Sequence, residues 1–455
     1  LAGRFDLGAF WPLVGGDMTK KIAILGFGIE GQDLCRHWLG KAKITVFDQK
    51  TSQELGDAGE EFKNQVEFKL GPDYLQDGLA TFDIIFRSPA FKLTTPALAV
   101  ARQKGVAISS ATKLFFDLCP AKIIGVTGTK GKGTTATLIT QILQQAGKKV
   151  FLAGNIGQPV LSLLPQLTQD SWAVLELSSF QLQDLTKSPQ IAVVLFISSE
   201  HLDYHADTQE YVEAKTNIVR HQQADDWAVL NGQDVTARSF AQLTPARVLY
   251  FDCVKNKQFF WRQQLVGPVS QLKLKGKHNW ANVCAAINAA GLAGADLASI
   301  KKAVFAFAGL EHRLEKVAEI NGVEYYNDSF STTPETAIAA IQSFQKPLIL
   351  IAGGSEKGSD FTALGQAIAS GPVKTLILMG QMADRIKVAA LKAGFSGQII
   401  RQPKSMAAAV DMARQQAQPG TVVLLSPACA SFGMFTNYKD RGQQFKQHVS
   451  TLPKN

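Results

Sequence analysis

The 455-residue chain lacks the features that mark several protein classes. No apolar run reaches the roughly 18 residues that a membrane-spanning helix needs, so a helical membrane span is excluded. Only five cysteines occur, Cys35, Cys119, Cys253, Cys284 and Cys429, and they are widely spaced, odd in number and without a CxxC pair. That pattern predicts neither a disulfide framework nor a zinc site, and instead predicts small buried thiols in a reducing, cytoplasmic setting. There is no dense Lys/Arg tract of the kind that binds nucleic acid, and no internal repeat. A composition of 46% hydrophobic and 19% charged residues excludes a disordered chain, which could not bury enough apolar surface to offset its ordering entropy. Lys plus Arg is 47 against 38 for Asp plus Glu, a net +9. So modest an excess serves solubility or small anionic ligands.

At roughly 150 residues per domain, the length predicts about three domains. The start is irregular: Met18 follows a Gly-rich stretch ending in Gly15-Gly16-Asp17. Residues 1–17 make a poor signal peptide and read as a leader with no folded role. Beyond them, short β-rich apolar runs alternate with longer amphipathic stretches. Residues 21–25, 43–47 and 83–87 form a first set of predicted strands. Residues 122–126, 149–152, 173–177 and 192–197 form a second, and 348–352, 375–379 and 421–425 a third. Helical stretches such as 134–146, 280–290 and 334–343 separate them. This alternation predicts an α/β fold with parallel sheets covered on both faces. Residues 227–275 read as a small antiparallel insertion, and breaks near Ser110 and Gly309 divide the chain into 18–110, 111–309 and 310–455.

Two glycine-rich turns carry chemistry. Gly26-Phe27-Gly28-Ile29-Glu30-Gly31 follows the first strand and opens a helix, the context in which GxGxxG brings backbone N–H groups to a diphosphate. Asp48 ends the next strand about 20 residues on, where an acid commonly meets a ribose hydroxyl. Alone, this turn fits a dehydrogenase or a glycine needed only for packing. The second turn, Thr127-Gly128-Thr129-Lys130-Gly131-Lys132-Gly133-Thr134-Thr135, links a strand to a helix in the manner of a nucleoside-triphosphate loop. Its spacing is shorter than the usual GxxxxGK[ST], and a dehydrogenase leaves it without a use.

Further motifs follow in order: Gly154-Asn155-Ile156-Gly157, Leu175-Glu176-Leu177-Ser178-Ser179-Phe180-Gln181-Leu182, Glu200-His201-Leu202-Asp203, Tyr211-Val212-Glu213-Ala214-Lys215, His278-Asn279-Trp280-Ala281-Asn282, Gly309-Leu310-Glu311-His312-Arg313, Asn327-Asp328-Ser329 and Ser426-Pro427-Ala428-Cys429-Ala430-Ser431. From about Lys20 to the C-terminus this set resembles the Mur ligases of peptidoglycan precursor synthesis, and within them the D-glutamate-adding members. The resemblance implies a Rossmann-like N-terminal domain for a UDP-precursor, a central P-loop-type ATPase domain with a parallel sheet, and a Rossmann-like C-terminal domain for an amino acid. It re-reads the first glycine turn as a UDP-diphosphate site. The implied substrates are UDP-N-acetylmuramoyl-L-alanine, D-glutamate and ATP, with Mg²⁺, in a cytoplasmic monomer that activates a carboxylate as an acyl phosphate.

The resemblance also implies roles. Lys132, Glu176, His201 and Lys215 are the catalytic candidates. Thr134 and Glu176 would hold one Mg²⁺, and His201 and Lys215 (as a carbamate) a second metal site. Gly128, Thr129, Lys130, Gly131, Lys132, Gly133, Thr134 and Thr135 would surround phosphate, with Asn282 at adenine, Arg313 at the γ-phosphate and Asp328 at ribose or phosphate. Gly28, Ile29, Glu30, Asp48, Gln49, Ser88 and Asn155 would contact the UDP-precursor. Lys357, Ser431 and Tyr438 would contact the amino acid. Three positions depart from the family pattern: Gly133 replaces a hydroxyl residue after the lysine, Ala90 a common glycine, and Phe330 a frequent lysine. The competing readings are a Mur ligase for another amino acid, a folylpolyglutamate synthetase, which lacks the N-terminal domain, and a non-catalytic UDP-binding relative.

Overall fold

The computed structural model describes residues 19–453, except 77, 199–203, 275, 277, 356–358 and 432, and leaves out the side chains of 57 and 278. The leader read at residues 1–17 therefore lies outside the described residues. The chain forms two compact units that divide between Ala306 and Phe307.

The first unit holds two parallel sheets. Strands β1 (Lys21–Leu25), β2 (Lys43–Asp48), β3 (Glu67–Leu70), β4 (Ile84–Arg87) and β5 (Ala107–Ser109) lie in the order β3-β2-β1-β4-β5. Alternation along β1 sends Ile22 and Ile24 into one core and Ala23 and Leu25 into another, so the strand is covered on both faces and reads as a continuous apolar run. Strands β6 (Lys122–Thr127), β7 (Val150–Gly154), β8 (Trp172–Glu176), β9 (Ile191–Val194), β10 (Trp227–Leu230) and β11 (Arg247–Tyr250) form the second sheet, ordered β11-β10-β9-β6-β8-β7. The stretch 227–275, read as one antiparallel insertion, divides: β10 and β11 extend the second sheet as parallel strands, and only β12 (Val254–Lys255), β13 (Gln258–Trp261) and β14 (Gln264–Pro268) form an antiparallel sheet.

In the second unit, β15 (Glu315–Ile320), β16 (Val323–Asn327), β17 (Leu348–Gly353), β18 (Val373–Met379), β19 (Gln398–Arg401) and β20 (Val422–Leu425) form one sheet, ordered β15-β16-β20-β17-β18-β19. It is not wholly parallel as expected, because β15 runs antiparallel to β16. The cause is local. Asn321 (φ 51°) and Gly322 (φ 77°) form a two-residue turn between the paired Ile320 and Val323, the geometry that Asn-Gly favours in hairpins.

Both glycine-rich turns sit at topological switch points, where neighbouring connections leave in opposite directions. β1 lies between β2 and β4, and β6 lies between β8 and β9. Ligands in open α/β sheets bind outside the carboxyl ends of strands at such points. One expectation fails: Cys253 and Cys284 form a disulfide, with Cα atoms 5.4 Å apart. Their separation of 31 residues carries no motif; the fold brings the segment before β12 against the helix that carries Cys284. Cys35, Cys119 and Cys429 lie outside this disulfide.

A buried carboxylate ties the two sheets of the first unit together. Asp33, on helix α1 (Ile29–Trp38), accepts hydrogen bonds from the backbone N–H groups of Leu161 (2.8 Å) and Ser162 (3.0 Å), and also from the Ser162 hydroxyl. These amides open the short helix Val160–Leu163, whose N-cap, Pro159, supplies no side-chain bond. Asp33 thus caps that helix from a distant segment, satisfying amides that would otherwise be orphaned. Asp33→Ala is expected to cost about 2–3 kcal/mol, the scale of charge-assisted hydrogen bonds, as a lowered midpoint in thermal or denaturant unfolding. A loss under about 0.5 kcal/mol, typical of an ordinary surface change, would contradict this role.

Candidate active site

The phosphate-type loop leaves the carboxyl end of β6 and enters helix α2 (Lys132–Gln145). Gly128 (φ +149°) and Gly131 (φ +90°) occupy backbone conformations that side chains resist. Contact closes off substitution as well: a Cβ on Gly131 would lie 2.2 Å from Oδ1 of Asn282. Asn282, on helix α3 (His278–Leu292), is buried and donates to Asn279 Oδ1 at 2.9 Å. The motifs around Gly131 and Asn282, far apart in sequence, are therefore in contact.

The loop is pinned from below. Thr129 N–H donates to the Phe196 carbonyl at 2.7 Å, and its hydroxyl accepts from Ser198 N–H at 2.8 Å and lies 3.0 Å from Tyr211 Oη. Lys132 Nζ donates to the carbonyls of Gly128 (3.1 Å) and Thr129 (2.9 Å), folded back over its own loop. Lys215 is 1% exposed, unusual for a lysine. Its ammonium donates to Thr127 Oγ1 (3.4 Å) and Gly128 O (3.2 Å) and lies 4.6 Å from the centre of the Tyr211 ring.

Glu176 ends β8 in register with Val126 and is almost fully buried. Asn155 holds it twice, through its Nδ2 to Oε1 (3.2 Å) and its N–H to the Glu176 carbonyl (3.0 Å). Thr134 and Thr135 are buried on the first turn of α2, and among the described residues the Thr135 hydroxyl has no hydrogen-bond partner. Lys130 is exposed and Gly133 buried. The structure thus gathers Lys132, Thr134, Glu176, Lys215, Asn155 and Asn282 around the ends of β6 and β8. His201 lies outside the described residues.

At the first glycine turn, a Cβ on Gly26 (φ +91°) would fall 2.5 Å from Ser88 Oγ, and one on Gly31 would fall 2.1 Å from Gly26 O. Gly28 faces open space and Ile29 is 73% exposed. Asp48 accepts from Phe27 N–H (2.7 Å) and from Lys50 N–H (2.9 Å), so both of its oxygens help to shape the turn. Gln49 beside it is exposed. Glu30 accepts from Gln181 Nε2 at 2.8 Å, and burial pushes its carboxyl up to about 7 against the opposing pull of that bond and of Arg87.

Sequence reasoning missed Arg87. It is 0% exposed, pairs with Asp184 (Nε to Oδ2, 3.0 Å) and donates to the carbonyl of Phe180 (3.0 Å). It therefore fixes the Ser178–Gln181 stretch to the strand end that carries Ser88. The only local signal was an arginine closing the apolar run Ile84-Ile85-Phe86.

In the second unit, Asp328 is 2% exposed and accepts from Ser426 Oγ (2.7 Å) and Leu314 N–H (3.1 Å). Burial pushes its carboxyl up to about 6, opposed by these bonds, by Ser331 and by Arg313. Arg441, also missed, is 0% exposed on helix α4 (Tyr438–Ser450). It donates to Ser329 Oγ (2.9 Å), Ser329 O (2.8 Å) and Cys429 O (3.1 Å), and Ser329 Oγ donates on to Tyr438 O (2.8 Å). Three segments predicted to serve the amino acid or nucleotide thus meet at one guanidinium. Ser431 is buried and Tyr438 half-buried beside them. Lys357 lies outside the described residues. Glu311, His312 and Glu315 also converge, but Lys446 forms ion pairs with both carboxylates, at 2.8 and 2.6 Å.

Comparison with known proteins agrees with these motifs. The chain matches the Mur ligase MurD-like N-terminal domain over residues 20–110, the Mur ligase middle domain over 126–290 and the Mur ligase glutamate ligase domain over 312–429. It is 41% identical to the UDP-N-acetylmuramoylalanine--D-glutamate ligase of Symbiobacterium thermophilum over 457 residues, covering 97% of this chain and 100% of that one. It is also 41% identical to the enzyme of that name from Acetivibrio thermocellus, over 95% of this chain and 97% of that one. Two solved structures share the fold at 16% identity. MurF from Acinetobacter baumannii has a TM-score of 0.59 over 94% of this chain and 93% of its own. UDP-N-acetylmuramate-alanine ligase MurC from Thermotoga maritima has a TM-score of 0.58 over 95% of this chain and 100% of its own. With all three domain types matched in order, and with relatives well above chance identity along nearly the whole length, the chain belongs to the Mur ligase family.

Proposed function

We propose that the chain is an ATP-dependent amide ligase that joins D-glutamate to the L-alanyl carboxylate of UDP-N-acetylmuramoyl-L-alanine, in peptidoglycan precursor synthesis. The observation that carries this reading is the near-full-length match to D-glutamate ligases, on a chain whose phosphate loop, Glu176 and Lys215 converge at one sheet end. Residues 18–110 are assigned to the UDP-precursor, 111–309 to ATP and 310–455 to the amino acid. No helix among the described residues is long and apolar enough to cross a membrane, and the proposed setting is a cytoplasmic monomer.

The loop suits a triphosphate. Its glycines allow the positive-φ path that leads into the start of α2, where the helix dipole favours anions. Lys132 is the candidate for the β- and γ-phosphates and would leave its loop carbonyls to reach them. Asn282 is the adenine candidate; Arg313 and Asp328 take γ-phosphate and ribose-or-phosphate roles on motif position alone. Glu176 and Thr134 offer the hard oxygen donors that Mg²⁺ prefers, and the unpartnered Thr135 hydroxyl adds another polar atom on the same turn. Bound Mg²⁺ would neutralise phosphate charge as an anionic carboxylate approaches. Gly133 leaves Thr134 as the first hydroxyl after Lys132.

The carboxylate would attack the γ-phosphorus, ADP would leave, and the glutamate amine would displace phosphate from the resulting acyl phosphate. His201 and Lys215 are assigned to a second metal site, Lys215 as a carbamate formed from its amine and carbon dioxide. Gly28, Ile29, Glu30, Asp48, Gln49, Ser88 and Asn155 are assigned to the UDP-precursor, and Lys357, Ser431 and Tyr438 to the amino acid.

The direct test is phosphate release with UDP-N-acetylmuramoyl-L-alanine and D-glutamate, run beside L-alanine, L-lysine and diaminopimelate. Turnover should require D-glutamate, and Lys132→Ala should lower kcat by about 100- to 1,000-fold, the cost of one charge-stabilising contact. Strict dependence on another acceptor would overturn the D-glutamate assignment, and absence of ATP turnover with every acceptor would favour a non-catalytic relative. Gly131→Ala is expected to raise KM for ATP by about tenfold or more, since its Cβ would displace Asn282 and its φ is strained. An unchanged KM would separate Asn282 from the nucleotide. Lys215→Ala should be inactive and partly restored by a short-chain carboxylic acid; full activity, or no restoration, counts against the carbamate.

A further inference from the structure

Phe330 is 40% exposed, although its backbone is hydrogen-bonded within the second unit. Its N–H donates to the His312 carbonyl at 2.9 Å, and the neighbouring Ser331 N–H donates to the Asp328 carbonyl at 2.9 Å. On its other side, Ser329 is anchored by Arg441. The Phe330 ring meets Tyr438 edge-to-face, with centroids 5.2 Å apart and planes at 84°. This contact fixes the ring and leaves a face open, over which the Arg313 guanidinium lies 5.7 Å from the centroid.

Arg313 is held in an equally determined way. The residues on either side of it, His312 (φ 64°) and Leu314 (φ 44°), both occupy the left-handed region without being glycine. Such conformations cost of order 1–3 kcal/mol each and persist only where the surroundings over-determine them. Here they do: His312 N–H donates to Glu315 Oε2 (2.8 Å), His312 Nδ1 lies 2.8 Å from Asn327 Nδ2, and Leu314 N–H donates to Asp328 Oδ1 (3.1 Å). The strained turn projects the exposed arginine onto an exposed ring that is itself braced.

We propose that Phe330 is a positioning residue for Arg313: its ring seats the guanidinium by a cation–π contact and presets the planar fork for a phosphoryl group. The proposal rests on the γ-phosphate role assigned to Arg313 above. An arginine without a seat must give up side-chain freedom when it meets phosphate, whereas one already held loses less. The effect expected for an exposed cation–π contact is modest and depends on the ring, with Trp strongest and an aliphatic side chain giving none.

The test compares kcat/KM for ATP, and the Kd of a non-hydrolysable ATP analogue, in wild type, F330L, F330W, F330K and R313A, with thermal midpoints as a folding control. F330L should weaken both ATP parameters by about two- to fivefold, F330W should match or exceed wild type, and F330K, which also lacks the ring, should be no better than F330L. In the R313A background, F330L should have no further effect, since its target is gone. Equal behaviour of F330L and F330W, or a F330K enzyme as good as wild type, would overturn the proposal while leaving Arg313 its role. R313A without effect on either ATP parameter would remove the phosphate role and the positioning claim with it.

Discussion

The constraint on which the site depends is the tightness of the backbone where β6 turns into α2. Gly128 and Gly131 hold positive φ, and a Cβ on either would run into Leu195 or Asn282, so only glycine lets the loop follow this path at the start of a helix, where main-chain N–H groups suit phosphate. The same glycines admit close neighbours. Asn282 packs against Gly131, and Lys215 and Ser198 reach the loop from beneath. A loop that must stay uncovered above is thus held rigid from below and from the side, so that its donors need little reorganisation when charge develops. The first turn repeats the arrangement on a smaller scale, with Gly26 against Ser88 and Asp48 bracing Phe27.

Around these turns the fold uses buried charges as fasteners. Asp33 caps a helix from a distant segment, Arg87 and Asp184 join a strand end to the Ser178–Gln181 stretch, and Arg441 gathers the loops around Ser329 and Cys429. Each buried charge would be costly if left alone, so each is tolerated only with its partners in place. The consequence is positional precision: removing one partner displaces a loop as well as a bond. Asp328 shows the balance, with desolvation raising its carboxyl to about 6 while Ser426 and the Leu314 amide hold it back.

Much of this was legible in the sequence because it is local. Strand–helix alternation and the two glycine turns are patterns of neighbouring residues, and the structure shows the corresponding elements; the insertion read at 227–275 is antiparallel only in β12–β14. The Asn321-Gly322 hairpin was equally local and was overlooked, which is why a wholly parallel third sheet was expected. The fasteners were illegible for a different reason. Asp33 and Ser162, Arg87 and Asp184, and Arg441 and Ser329 are separated by 129, 97 and 112 residues, and no spacing rule joins them. The Cys253–Cys284 bond is of the same kind. Asp48, read as a ligand contact, also shapes the turn, since each of its oxygens accepts one backbone N–H, a role its position at a strand end did not signal. His201 and Lys357 fall outside the described residues, so their proposed roles rest on the family pattern.

The central claim is that this scaffold phosphorylates a carboxylate and then aminates it. The measurement that addresses it most directly uses UDP-N-acetylmuramoyl-L-alanine labelled with ¹⁸O in the alanyl carboxylate, with ATP and D-glutamate, and mass analysis of the released phosphate. Transfer of one labelled oxygen into phosphate for each amide formed is the predicted result. Amide formation with unlabelled phosphate, or phosphate release without an amide product, would contradict the account.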